Sequence, residues 1–137
     1  MTYLLDTNVI SELRKGARCN PGVSAWFGGL TDDDLHFSTL TVGEIRKGIE
    51  LTARRDPTAA EALNGWLIGL LAAHGDRILP IDLEVAEEWG RLNVPDPLPV
   101  IDGLLAATAK VHGLTLATRN VKDIERSGAA YVNPFGD

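Results

Sequence analysis

Val100-Ile101-Asp102-Gly103-Leu104-Leu105-Ala106-Ala107-Thr108-Ala109-Lys110-Val111-His112-Gly113-Leu114-Thr115-Leu116-Ala117-Thr118-Arg119-Asn120 is the stretch that decides the fold. From Asp102 to His112 most residues are apolar, with Leu104, Leu105, Ala106, Ala107 and Ala109 good helix formers, so the segment reads as a strongly apolar helix that Gly113 ends. Thr115 to Thr118 follows as a short strand with no polar face, as expected of a strand covered on both sides. A buried helix feeding such a strand is the repeating unit of a parallel sheet.

Working outward, the same alternation holds. Upstream, Pro95-Asp96-Pro97-Leu98-Pro99 excludes regular structure and predicts a stiff loop. Before it come a helix at Leu83 to Leu92, containing Trp89, and a strand at Arg77 to Ile81. Pro57 opens a long helix in which Leu63, Trp66, Leu67, Leu70 and Leu71 repeat at i, i+3, i+4, i+7 and i+8. Thr41 to Arg54 is a helix after the strand Leu35 to Ser38. Pro21 to Leu30 is a helix expected to bury Trp26 and Phe27. At the start, the strand Tyr3-Leu4-Leu5 is stopped by Asp6-Thr7-Asn8, which can cap a helix over Val9 to Arg14. Downstream of Asn120 a short turn of helix near Val121 to Glu125 precedes a last strand at Ala130 to Val132. The expectation is one α/β domain spanning residues 1–137, a three-layer sandwich with a parallel central sheet of four to five strands flanked by helices.

Composition narrows the function classes. At 137 residues, 45% of them hydrophobic and 23% charged, the chain is an ordinary globular protein rather than a disordered tail, fibre or membrane bundle. Thirteen Lys+Arg against 19 Asp+Glu give a net charge of −6, so nucleic acid cannot be held by bulk charge. Carboxylates gathered on a metal ion would convert the acidic residues into a phosphate site. The lone Cys19 excludes an internal disulfide and a thiolate zinc cage, which points to a reduced, cytosolic protein. Asp6 interrupts any signal-peptide core, and the apolar run Trp66 to Ala73 is far shorter than the roughly 20 residues that cross a bilayer.

In a parallel sheet, ligands bind beyond the carboxyl ends of the strands. Asp6 ends the first strand, Glu44 lies in the first turns of the helix after the second, and Asp102 begins the helix leading into the strand Thr115 to Thr118. Asn120 follows that strand, so topology gathers all four along one rim. Helix capping is an alternative role for Asp6, Asp102 and Asn120. Glu44 is different. At about 100° per residue, Arg46, Lys47, Glu50 and Arg54 share one arc, and Glu44 falls outside it beside Leu40, Gly48 and Leu51. It must point to the body of the protein or its rim, where a carboxylate needs a partner. Three converging carboxylates repel one another unless a cation joins them. An oxygen-only set favours Mg²⁺ or Mn²⁺ over zinc. The histidines show no ligand spacing, and Asp32-Asp33-Asp34 lacks the pattern of a calcium loop and reads as a solvated turn.

These residues carry a resemblance. Leu4-Leu5-Asp6-Thr7-Asn8-Val9-Ile10-Ser11-Glu12-Leu13, Thr41-Val42-Gly43-Glu44-Ile45, Val100-Ile101-Asp102-Gly103-Leu104-Leu105-Ala106-Ala107-Thr108-Ala109 and Leu116-Ala117-Thr118-Arg119-Asn120-Val121-Lys122-Asp123 resemble, in order and spacing, the four motifs of PIN-domain proteins. Over nearly the whole chain the pattern is similar to VapC-type toxins of toxin–antitoxin pairs, close to the FitB-like subgroup. The resemblance implies a Mg²⁺- or Mn²⁺-dependent endoribonuclease with Asp6, Glu44 and Asp102 on the metal. Asn120 stands where many relatives have a fourth acidic residue; it can accept a bond from a metal-bound water but adds no charge. Thr7, Asn8, Ser11 and Thr118 are the candidate supporting residues, with Asp123 a possible substitute for the missing acid.

The implied reaction is hydrolysis of an RNA phosphodiester by an activated water, leaving 5′-phosphate and 3′-hydroxyl ends. Local cations must then hold the backbone: Arg14, Lys15 and Arg18 after the first helix, Arg46 and Lys47 beside Glu44, Arg119 and Lys122 beside Asn120. The resemblance also implies a homodimer, a VapB-type antitoxin that blocks the acidic rim, and operator DNA bound only through the toxin–antitoxin complex. The apolar run Trp66 to Ala73 is the expected interface. Two other readings stay open: a haloacid-dehalogenase-like phosphatase, which would want an Asp where Asn8 stands, and a PIN-fold binding module without catalysis.

Overall fold

The computed structural model describes residues 1–137. The central strand β1 (Tyr3–Leu5) pairs in parallel with β2 (Leu35–Ser38) on one side and with β4 (Thr115–Ala117) on the other. β3 (Ile78–Leu79) lies outside β2 and β5 (Tyr131–Val132) outside β4, giving an all-parallel sheet of order β3-β2-β1-β4-β5. The chain thus builds outward from β1 to β3, then crosses back to add β4 and β5 on the other flank. The reversal lies between β1 and β4, and Asp6 N–H continues their ladder onto the Ala117 carbonyl at 3.0 Å.

Alternation along the strands supplies the two cores. Leu4 and Leu116 face one side, with Leu105, Ala106, Ala109 and Ile124, while Leu5 and Ala117 face the other, with Val9, Ile10, Val23 and Phe37. The first side is covered by α5 (Leu83–Leu92), α6 (Val100–His112) and α7 (Val121–Ile124). The second is covered by α1 (Thr7–Leu13), α2 (Pro21–Gly28), α3 (Thr39–Ala53) and α4 (Pro57–His74). The α3–α4 pair closes a third small core around Ile49, Ala60 and Leu67. No helix is long and apolar enough to cross a membrane.

Local chemistry explains the boundaries. Asp56 caps α4 through the Ala59 N–H at 3.1 Å with Pro57 at the first helical position, and Asp82 caps α5 through Val85 N–H at 3.0 Å. Gly113 ends α6 at φ 65°, a left-handed conformation that a side chain resists, and lets Leu114 N–H return to the Ala109 carbonyl at 2.9 Å. Asn93 braces the proline-rich loop by accepting Leu98 N–H at 2.8 Å.

Some expectations need correction. α6 begins at Val100, so Asp102 lies inside its first turn and Pro99 holds the cap position. The strand expected over Arg77 to Ile81 shrinks to Ile78–Leu79: residues Gly75–Arg77 form a tight turn, and Pro80 has no N–H to extend the ladder. Phe27 is 36% exposed: it borders a cavity between α1, α2 and α4 and does not join the core that takes Val23 and Trp26. In the run Trp66 to Ala73, Leu67 is buried and Trp66, Leu70 and Leu71 pack within the chain, while Ile68, Ala72 and Ala73 stay exposed.

Candidate active site

The rim forms where the strand order reverses, the place in an open parallel sheet where the loops from β1 and β4 part and leave a crevice. Asp6 sits at its floor, only 5% exposed. As the cap of α1 it accepts the Thr7 N–H on Oδ1 at 2.7 Å. Its Oδ2 accepts the Thr118 hydroxyl at 2.7 Å and the Asn8 amide at 3.4 Å. Thr118, itself buried, accepts the Asn120 N–H at 3.0 Å, so its single hydroxyl proton is committed to Asp6. Burial pushes the Asp6 carboxyl above the ordinary aspartate range, against the pull of the Thr118 and Thr7 bonds, and the Glu44 charge adds to the rise.

Asp102 faces Asp6 from the first turn of α6 and is half-buried. Its carboxyl is also raised, first by desolvation and then by the Asp6 charge, with Asp123 and Glu44 contributing in the same direction. The Asn120 amide approaches Asp102 Oδ1 at 3.5 Å. Glu44, exposed on α3, is tied across to α1 by the Thr7 hydroxyl on Oε1 at 2.6 Å. The partner that its position on the helix demanded is therefore Thr7. The four residues at the rim do come together, but as an open arc: no three acidic or imidazole side chains contract into a closed cage. No lysine or arginine pairs with Asp6, Glu44 or Asp102, since every ion pair of the chain lies elsewhere.

The supporting residues divide. Thr7, Asn8 and Thr118 bond directly to the arc, and Asp123 reaches it by charge alone. Ser11 is exposed and makes no such bond, but with Thr7, Arg14, Glu44 and Trp66 it lines a groove of about 190 Å³ beside the arc. Among the basic residues, Lys15 is paired with Glu12 at 2.8 Å and Arg46 donates to Asn64 at 2.8 Å. Arg119 is bound to Asp137. Arg14, Arg18, Lys47 and Lys122 form no ion pair. Sequence reading missed Asp137 and also Glu12, which accepts Asn20 N–H at 2.7 Å and so ties α1 to α2. No local motif announces either contact. An apolar cavity of about 370 Å³ lies away from the arc between α1, α2 and α4, lined by Ile10, Phe27, Phe37, Trp66 and His74.

Comparison with known proteins gives this geometry a lineage. Residues 3–127 match the PIN domain family. The chain is 36% identical to Toxin FitB of Neisseria gonorrhoeae over 141 residues, covering 98% of this chain and 99% of that protein. It is 34% identical to VapC ribonuclease Y4jK of Sinorhizobium fredii, covering 96% of each. Among solved structures, FitAB bound to an IR36 DNA fragment superposes with a TM-score of 0.89 at 32% identity, covering 99% of this chain and 97% of that one. The chain belongs to the PIN domain family, alongside the FitB and VapC toxins.

Proposed function

We propose that this protein is the ribonuclease toxin of a toxin–antitoxin pair, a divalent-metal-dependent endonuclease whose working groups are Asp6, Glu44, Asp102 and Asn120. One observation carries the reading. Asp6 and Asp102 are held partly or wholly out of water, facing each other at the reversal of strand order, with no cationic side chain on either. Buried like charges without a counter-charge are costly, and an all-oxygen donor set suits Mg²⁺, with Mn²⁺ as its substitute. Asp6, Glu44 and Asp102 would hold the ion.

A divalent cation there would neutralise a phosphate oxygen and lower the pKa of a water for attack on phosphorus. The chain's own residues prepare that chemistry. The Thr118 hydroxyl and Asn8 amide on Oδ2 and the Thr7 N–H on Oδ1 fix the Asp6 carboxylate plane and leave Oδ1 the less occupied oxygen. Asn120 supplies a neutral oxygen and donates to Asp102 from its amide, so this rim carries one negative charge fewer than a four-acid version. Arg14, Lys47 and Lys122 are free to take backbone phosphates. Asn8, where a phosphatase would want its second aspartate, has its amide on Asp6 and its carbonyl oxygen on Arg119 N–H at 3.3 Å, which speaks against that alternative.

An antitoxin cation placed on Asp6 and Asp102 would neutralise them and occlude the arc, and operator DNA would be bound through that complex, as FitAB is on its DNA fragment. Self-association into a homodimer would use the exposed side of the Trp66 to Ala73 run, Ile68 with Ala72 and Ala73.

The test is cleavage of an RNA oligonucleotide by the purified protein. Cleavage should require Mg²⁺ or Mn²⁺, leave 5′-phosphate ends, and fall about 100-fold or more in Asp6→Asn and Asp102→Asn. Undiminished cleavage in chelator, or cyclic-phosphate ends, overturns the reading.

A further inference from the structure

The last residues of the chain, Asn133-Pro134-Phe135-Gly136-Asp137, form a hook beside the arc. β5 delivers them there: the Thr118 N–H donates to the Val132 carbonyl at 3.0 Å, so the hook leaves the sheet beside Asp6's own hydrogen-bond partner. Asn133 shapes the turn, its Oδ1 accepting Phe135 N–H at 3.0 Å and its amide donating to the Asp137 carbonyl oxygen at 3.1 Å and to Oδ1 at 3.0 Å. The hook also presses on the start of α2. A Cβ at Gly22 would stand 2.7 Å from the Pro134 carbonyl oxygen and 3.1 Å from that of Phe135, so only glycine admits this approach.

The hook ends on Arg119. The guanidinium lies 4.4 Å above the centre of the Phe135 ring, Nε donates to Asp137 Oδ2 at 2.9 Å, and Nη2 donates to the same oxygen. Arg119 is next in the chain to both Thr118, which serves Asp6, and Asn120, which serves Asp102; its own N–H bonds to Asn8, a third neighbour of Asp6. A carboxylate and a phosphodiester present oxygens to a guanidinium in the same way. Arg119 and Asp137 are each about half exposed, 52% and 51% by side chain, so a phosphate from solvent can replace the aspartate without any core rearrangement. The Phe135 ring beneath is itself packed against the second core.

We propose that Asp137 is an internal stand-in for an RNA backbone phosphate: it occupies Arg119 in the free protein and yields it to the substrate, while Phe135 holds the guanidinium in place. Arg119 is then a positioning residue for the strand being cut, and Asp137 sets the concentration of RNA needed to engage it. This rests on the ribonuclease reading for its substrate class.

A double-mutant cycle tests it, with KM and kcat for Mg²⁺-supported cleavage of an RNA oligonucleotide as one readout and binding of the same oligonucleotide to the chelated protein as the other. Asp137→Asn should lower KM and tighten binding about two- to fivefold, the worth of an exposed ion pair, with the change falling on KM rather than kcat. Arg119→Ala should weaken binding, and adding Asp137→Asn to it should change nothing further. Asp33→Asn, which removes a charge before β2 at the opposite end of the sheet, separates this from a general charge effect and should leave KM within error. Unchanged or weaker RNA binding in Asp137→Asn, or the same gain with Arg119 absent, overturns the proposal. Failure of the wild-type protein to cleave any RNA overturns the ribonuclease reading instead, and the binding cycle in chelator still decides the role of Asp137; no RNA binding at all overturns both.

Discussion

Thr118 shows how one side chain can set the chemistry of another. Its hydroxyl donates to Asp6 while accepting the Asn120 N–H, pulling down a carboxyl that burial pushes up. Thr118→Val keeps the shape and removes the donor, so Asp6 should hold its proton to a higher pH. The acid limb of RNA cleavage should move upward in pH in Thr118→Val and return in Thr118→Ser, read from pH–rate profiles. Asp102 gives the stability counterpart. Because its folded carboxyl is raised above the ordinary 3.8, the folded state holds more protons than the unfolded one just above that pH, and stability falls as pH rises through the folded value. In chelated protein, Asp102→Asn should raise Tm by a few degrees at neutral pH, and the gain should vanish in scans below the ordinary aspartate value.

At the scale of elements, α5 and α6 show what binds a helix pair beyond apolar contact. Glu88 on α5 takes Lys110 of α6 at 2.9 Å and Arg91 at 3.1 Å, and Lys110 also donates to the Ser127 carbonyl at 3.0 Å. The Lys110 and Arg91 bonds hold the Glu88 carboxyl below its usual range. Its contribution is present above that range and lost as pH falls through the folded value. Glu88→Gln should cost about 1 kcal/mol near neutrality, with wild type and variant converging in acid by urea unfolding. The helices themselves were legible, because Pro57, Gly113 and the heptad-like leucines of α4 act within one element. The exact run of β3 was not, since a two-residue strand at a sheet edge depends on pairing with β2 rather than on its own residues. Phe27 misled for the same reason: an apolar residue states that burial is favourable, and the neighbouring elements decide which face receives it.

For the whole molecule, the decisive feature is the reversal of strand order between β1 and β4, which brings Asp6 and Asp102, distant in sequence, within reach of each other's charge at one sheet edge. If the arc holds a cation in the folded state only, millimolar Mg²⁺ should raise Tm of the wild type through ligand linkage, and should not do so in the Asp6→Asn/Asp102→Asn double variant, measured by calorimetry. Parallel topology sends every strand exit to the same edge, which is how Asp6, Asp102 and Asn120 could be placed there in advance; Glu44 is exposed and joins them through Thr7. What the amino-acid order settled by itself was local and periodic: which segments are helix or strand, where they stop, and which acids stand at strand exits, since these follow from side-chain spacing and caps within a few residues. Only the tertiary structure decided that Glu44 leans on Thr7, that the arc is open, that Lys15 and Arg46 are engaged elsewhere, and that Asp137 returns to Arg119. Those contacts join residues with no fixed spacing along the chain, and they exist only once packing has brought distant elements within hydrogen-bonding reach.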